Sequence, residues 1–173
     1  WWVAAARIGR LNANIERERV EGALHESERR LNEAQRIGKM GHFRTALNPP
    51  KPEWSDQIYR LFGYDPREIE PNADFAFSII HSDDHDRFFE MRNTAIEQKQ
   101  AFSIEYRVIG KDDKEIDIAL NSRPEFDDAG EVVALFGTLQ DITERKLAEE
   151  ELALHREHLE ELVEEQTAEL RMV

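Results

Sequence analysis

The run Phe102-Ser103-Ile104-Glu105-Tyr106-Arg107-Val108 places an apolar side chain at every second position, with serine, glutamate and arginine between them. A period of two marks a strand that buries one face and wets the other. Two later runs repeat the pattern: Ile116, Ile118 and Leu120 alternate with Asp117, Ala119 and Asn121, and Val133, Leu135, Gly137 and Leu139 alternate with Ala134, Phe136, Thr138 and Gln140. Polar turns at Lys111-Asp112-Asp113-Lys114 and Asp127-Asp128-Ala129-Gly130 separate the runs, which predicts an antiparallel meander.

Upstream of these strands the period is helical. Ser82-Asp83-Asp84-His85-Asp86 opens a helix expected to run to about Gln100, with Ser82 as cap, the aspartates at the positive end of its dipole, and Phe88, Met91, Ala95 and Ile96 inward. Before it, residues 75–80 form a buried turn. Residues 55–62 form a short helix, with Ser55 as N-cap, Ile58, Leu61 and Phe62 on one face, and Gly63 as C′ residue. Gly41-His42-Phe43-Arg44-Thr45-Ala46-Leu47 is a further strand candidate, followed by the breaker-rich Asn48-Pro49-Pro50-Lys51-Pro52. Two short strands, a helical cluster and three longer strands define one α+β domain over residues 38–143.

Both ends differ in texture from this middle. Residues 3–37 and 144–171 contain no proline, and Gly9 and Gly22 are their only glycines. In residues 1–37, Ile8, Leu11 and Ile15 and then Val20, Leu24, Ser27, Leu31 and Ala34 follow three-four spacing, with a phase break near residues 16–19. In residues 144–173, Leu152, His155, Leu159, Leu162, Gln166 and Glu169 do the same, flanked by Val163 and Leu170 and otherwise by glutamates. So narrow a stripe implies a partner helix, most simply its copy in a parallel coiled-coil homodimer joined through Leu24, Leu31, Leu152, Leu159 and Leu162. An isolated, solvated charged helix is the competing reading.

The chain has 173 residues, a net charge of -14 and no cysteine. The charge argues against a nonspecific grip on nucleic-acid phosphates. Without cysteine there is no disulfide, thiolate nucleophile or Cys-ligated metal. No run approaches the roughly 20 apolar residues that span a bilayer. Trp1-Trp2-Val3-Ala4-Ala5-Ala6 followed by Arg7 and Arg10 fits either a helix start or the cytoplasmic end of a membrane helix. With no initiator methionine, the sequence reads as a fragment.

Several blocks, in order, resemble the PAS domain family of bacterial sensor histidine kinases and diguanylate cyclases. They are Trp54-Ser55-Asp56-Gln57-Ile58-Tyr59-Arg60-Leu61-Phe62-Gly63-Tyr64-Asp65-Pro66; His81-Ser82-Asp83-Asp84, with Ser82 where the family has proline; Phe102-Ser103-Ile104-Glu105-Tyr106-Arg107; and Gly137-Thr138-Leu139-Gln140-Asp141-Ile142-Thr143-Glu144-Arg145-Lys146. The resemblance covers about residues 28–145. It implies a five-stranded antiparallel sheet with small helices on one face, flanked by signalling helices.

By matched position, the resemblance implies an interior of Tyr59, Phe62, Phe77, Met91, Ile104, Tyr106, Leu120 and Leu139, either simple core or a ligand pocket. It also implies a signal-transmission joint at Asp141, Thr143 and Glu144. Independently, Asp141 is placed to cap the last helix, with Glu144 reciprocating as in a capping box. The light-sensing flavin branch of the family uses a cysteinyl adduct, excluded here, and a glutamine where Leu139 stands. No cofactor is expected, although a haem- or flavin-bearing sensor is a further reading. His81 and His85 are spaced i, i+4, but dipole and capping roles explain that cluster better than a metal. No phosphate-binding glycine loop, zinc-protease motif or nucleophile elbow occurs, so no catalysis is expected of this segment itself. The expectation is a dimeric, cytoplasmic sensory module of an inner-membrane signalling protein, passing a small-molecule or upstream signal to a C-terminal output domain. A ligand-free structural relay is the alternative.

Overall fold

The structure, a computed structural model, describes residues 2–66 and 68–171, with side chains over residues 14–66 and 68–167. The chain divides into two units, one ending at Lys39 and one beginning at Met40. The first is a single helix, α1 (Trp2–Ile37). Its polar positions are laced by close ion pairs, Arg17 to Glu21 and Glu26 to both Arg29 and Arg30, while Ile15, Val20, Leu24 and Leu31 are exposed. The side chains of Trp1, Trp2, Arg7, Ile8, Arg10 and Leu11, and at the other end Glu169 and Leu170, lie outside the described residues.

The second unit holds β1 (Met40–Leu47), β2 (Pro50–Trp54), α2 (Asp56–Leu61), α3 (Ala73–Ser78), a 3₁₀ turn (Ser82–Asp84), α4 (His85–Glu97), β3 (Phe102–Ile109), β4 (Glu115–Phe126), β5 (Val132–Asp141) and α5 (Thr143–Arg171). The five strands form one antiparallel sheet in the order β2-β1-β5-β4-β3. The meander β3-β4-β5 is as the alternation predicts, and β1 returns to pair with β5. The breaker-rich prolines do not end the sheet here. They make β2, whose missing N–H groups are tolerable because it is an edge strand with one partner.

Alternation puts Ile104, Tyr106 and Val108 of β3, Ile116, Ile118 and Leu120 of β4, and Leu135 and Leu139 of β5 on one face. Against them pack Ile58, Phe62, Ile79, Ile80 and Phe88 from the helical cluster, and Ile58 and Ile118 have no exposed surface at all. Ser55 precedes α2, but its hydroxyl does not cap the helix. It accepts from the His42 N–H at 3.0 Å while its own N–H donates to the His42 carbonyl at 2.9 Å, which ties α2 to β1. Gly63, at φ +83°, ends α2 as a C′ residue with the two bonds of a Schellman motif, from its own N–H to Arg60 and from Tyr64 to Tyr59.

Three helical expectations need correction. Ser82 does not cap a long helix: the His81 ring accepts from the Asp83 N–H, and a 3₁₀ turn precedes α4. That helix stops at Glu97, short of Gln100, because Lys99 adopts φ +56° and closes a second Schellman motif. Met91 is not inward. It is 37% exposed, at the flank of the buried stripe through Phe88 and Ala95.

The close packing of α2 on β1 depends on Gly41. A β-carbon there would collide with the Ile58 side chain and come within 2.9 Å of its backbone nitrogen. Gly41→Ala is expected to lower stability by about 1–3 kcal/mol, the ordinary cost of overpacking a filled core. Urea unfolding measures it, and a change below about 0.5 kcal/mol would show that the helix yields freely.

Candidate functional site

Two features of the domain are built well enough to carry function: a cavity inside the sheet and the root of α5 outside it. The cavity, about 70 Å³, lies between the inner sheet face and the helical cluster. Phe62, Phe77, Tyr106, Leu120 and Leu139 line it. Tyr59 and Ile104 are buried core residues outside the lining, and Met91 is on the surface. Periodicity gave no sign of Phe43 and Trp54 as lining residues. Trp54 follows the proline segment and meets Tyr59, Phe62 and Phe75 at ring-centroid separations of 5.5–6.1 Å.

No lining residue is charged. Burial pushes the Tyr106 phenol well above its usual range, so it stays neutral. Cavities that hold benzene run to about 150 Å³, twice this volume, so neither haem nor flavin fits the space as it stands. His85 does not line it. The His85 Nε2 is 3.2 Å from the Phe77 carbonyl, while His81 is engaged with Asp83 and lies 3.7 Å from Glu115, so the two imidazoles do not converge.

The outer edge of β3 connects this interior to its surroundings. An edge strand leaves alternate backbone groups unpaired, and here they are taken up by the helical cluster. His81 donates to the Arg107 carbonyl at 2.9 Å and Ile109 donates to the Ile79 carbonyl at 2.7 Å. The Arg107 N–H donates to Asp84 Oδ2 at 2.9 Å, and Arg87 donates to the Glu105 carbonyl at 2.7 Å. Asp84 also accepts from the Arg107 guanidinium at 2.9 Å and from Arg87 at 3.3 Å. Its carboxylate is therefore a clamp between α4 and β3, not merely a dipole partner.

On the outer face the Glu105 carboxylate receives Arg145 at 2.6 Å and Lys146 at 3.3 Å, both from the first turn and a half of α5. Those two cations hold the Glu105 carboxyl below its ordinary range, and Arg145 is correspondingly raised. Lys146 also reaches Asp117 at 3.4 Å. The Asp117 backbone meets the same joint twice: its N–H donates to the Thr143 hydroxyl at 3.0 Å, and its carbonyl accepts from Ile142 at 2.9 Å. Asp141 accepts from the Thr143 N–H at 2.9 Å, and Glu144 stands in the first turn of α5. Ile142, buried between them, anchors the joint. Beyond it, Leu147, Leu152, Leu154, Leu159, Leu162 and Val163 are exposed along α5.

With this geometry in view, comparison with known proteins is informative. A family model described as the PAS fold matches residues 51–139, and the chain belongs to that family. A methyl sulfide methyltransferase-associated sensor from Methanosarcina acetivorans is 34% identical over 125 residues, which cover 69% of this chain but only 12% of that protein. A sensory box histidine kinase/response regulator structure from Burkholderia thailandensis superposes with TM-score 0.64 at 23% identity, covering 76% of this chain and 98% of that one. The N-terminal domain of a diguanylate cyclase with PAS/PAC sensor from Marinobacter aquaeolei gives 0.57 at 20%, covering 62% and 98%. At these identities the two structures speak to the fold. Among the described residues no helix is long and apolar enough to cross a membrane.

The clamp has a pH signature. The Asp84 carboxyl is held at about 2, chiefly by its hydrogen bond from Arg107, against an ordinary 3.8. A depressed carboxylate stabilises the fold above its unfolded value and loses that contribution as pH falls from 3.8 toward 2. Asp84→Ala is therefore expected to cost about 2–4 kcal/mol near pH 7, since it strips a buried charge-assisted acceptor from Arg107. In urea unfolding the gap between wild type and variant should narrow below pH 3.8. A gap that stays constant to the lowest pH would remove the ionised clamp.

Proposed function

We propose that the chain is the sensory and signal-transmission module of a larger signalling protein, of the sensor histidine kinase or diguanylate cyclase kind. It couples the state of its cavity, or of α1, to the packing of α5 against a second copy. The observation that carries this reading is the position of Glu105. It is the sequence neighbour of Tyr106, so one residue of β3 faces the cavity while the next holds the root of α5. A displacement of β3 by a ligand against Tyr106 would move the anchor of Arg145 and Lys146 directly. Such coupling requires two packings of the joint that differ by a few kcal/mol, which a polar, solvent-edged contact supplies more readily than a filled core.

The exposed leucines of α5 support a parallel coiled-coil dimer, since a stripe of that kind is stable only when covered. An output domain after α5 is part of the same reading, in keeping with the kinase and cyclase names of the relatives, and a membrane-linked parent whose cytoplasmic side carries this module is proposed from the Trp1-Trp2 to Arg10 pattern alone.

Glu105→Ala should free the root of α5 without opening the core. Amide exchange over residues 143–150 is expected to accelerate several-fold, in line with the modest worth of partly exposed ion pairs, while residues 116–120 of β4 keep their protection. Equal protection of the α5 root in both proteins would separate the joint from Glu105. Sedimentation of the purified chain should show a concentration-dependent dimer that Leu159→Glu weakens by at least tenfold. A wild-type chain that stays monomeric at millimolar concentration would exclude the α5 pairing.

A further inference from the structure

The cavity permits a statement about what enters it, resting on the sensory reading above. Three lining residues carry a polar side-chain atom, Thr45, Trp54 and Tyr106, and only Tyr106 among them is buried, at 6% exposure. Every side-chain oxygen or nitrogen that water cannot touch has a partner among the described residues. The Tyr106 hydroxyl has no hydrogen-bond partner there, so water can reach it, and Tyr106 lines this cavity. A hydroxyl that water reaches but no protein group accepts from is open to a ligand oxygen that takes the water's place.

The remaining walls set the rest of the ligand. Phe43, Phe62, Phe77, Phe88, Val108 and Leu139 are apolar, and an ion entering among them would shed its hydration with no counter-charge to meet. Volume sets the size: benzene, with six heavy atoms, occupies a cavity of about 150 Å³, and in proportion a cavity of about 70 Å³ accommodates about three heavy atoms, or four with slight rearrangement.

We propose that the cavity is a binding site for a small neutral molecule, apolar over most of its surface, whose single oxygen accepts a hydrogen bond from Tyr106. Ligands of this size bind no tighter than roughly 0.04 mM, so the site answers to millimolar or high-micromolar concentrations.

The test uses the ¹⁵N-labelled chain and three probes of nearly one shape: acetone, 2-methylpropene, which replaces the oxygen by a methylene, and acetate, which adds a charge. Acetone should produce saturable amide shifts around Tyr106, Val108 and Leu139, and acetate none. Tyr106→Phe, which only exchanges an unpartnered hydroxyl for hydrogen and so keeps the fold, should weaken acetone several-fold while leaving 2-methylpropene within about twofold. Ala76→Phe, which fills the cavity from α3, should abolish both. Equal loss of acetone and 2-methylpropene in Tyr106→Phe, saturable acetate binding, or no saturable shift with acetone would each overturn the proposal. Because the readout is binding inside the domain, it succeeds or fails separately from the α5 joint, which the Glu105→Ala exchange measurement tests.

Discussion

The free edge of β3 is the constraint on which the rest of this domain depends. Its outward backbone groups at Glu105, Arg107 and Ile109 would otherwise stand open as a template for another strand. They are instead occupied by residues 79–81, by Arg87 and by the Asp84 carboxylate. That arrangement fixes the helical cluster over the inner face of the sheet, and the cavity exists because the cluster is held at the edge while its middle is bridged by rings. Phe77, Phe88 and Tyr106 meet in succession there as tilted rings, with centroid separations of 6.4 and 4.9 Å.

The same strand serves the outer surface. Successive residues of a strand point to opposite faces, so Tyr106 and Glu105 report on different sides of one backbone. Inside, Tyr106 packs on Phe88 and borders the cavity; outside, Glu105 holds two cations of α5 at the solvent boundary. On the proposed reading the inner contact takes up a ligand's displacement and the outer one passes it to α5. A signal arriving in the core is therefore expected to appear as a change in the angle or stability of α5 rather than as unfolding of the sheet. The Asp117 backbone, bonded to Ile142 and Thr143, keeps the root of α5 attached to β4.

The longer strands were legible because β3, β4 and β5 each bury one face, and that requirement is written locally as alternation. Gly63 was legible for a similar reason, since a helix stop with positive φ is a single-residue requirement. What escaped sequence reasoning depends on partners distant in the chain. The prolines of β2 read as breakers because nothing local says that the strand has only one neighbour. Ser82 read as a cap, whereas the His81 ring performs that role. Asp84 read as a dipole residue because its true partner, Arg107, is 23 positions away. Met91 sits at helical spacing from Phe88, yet the sheet covers only the narrower stripe through Phe88 and Ala95. Glu105 was simply an outward position of a strand until the cations of α5 were placed beside it. Phe62, Phe77, Tyr106, Leu120 and Leu139 lie together along the cavity, while Tyr59 and Ile104 are buried outside its lining.

The central claim is that β3 carries the state of the cavity to α5 through Glu105. A double-mutant cycle tests it most directly, with Ala76→Phe filling the cavity, Glu105→Ala cutting the joint, and amide exchange over residues 143–146 as the readout. The account predicts that filling the cavity alters exchange at the α5 root in the wild-type background and that the effect shrinks toward nothing in the Glu105→Ala background. The same effect in both backgrounds, or none in either, would contradict it.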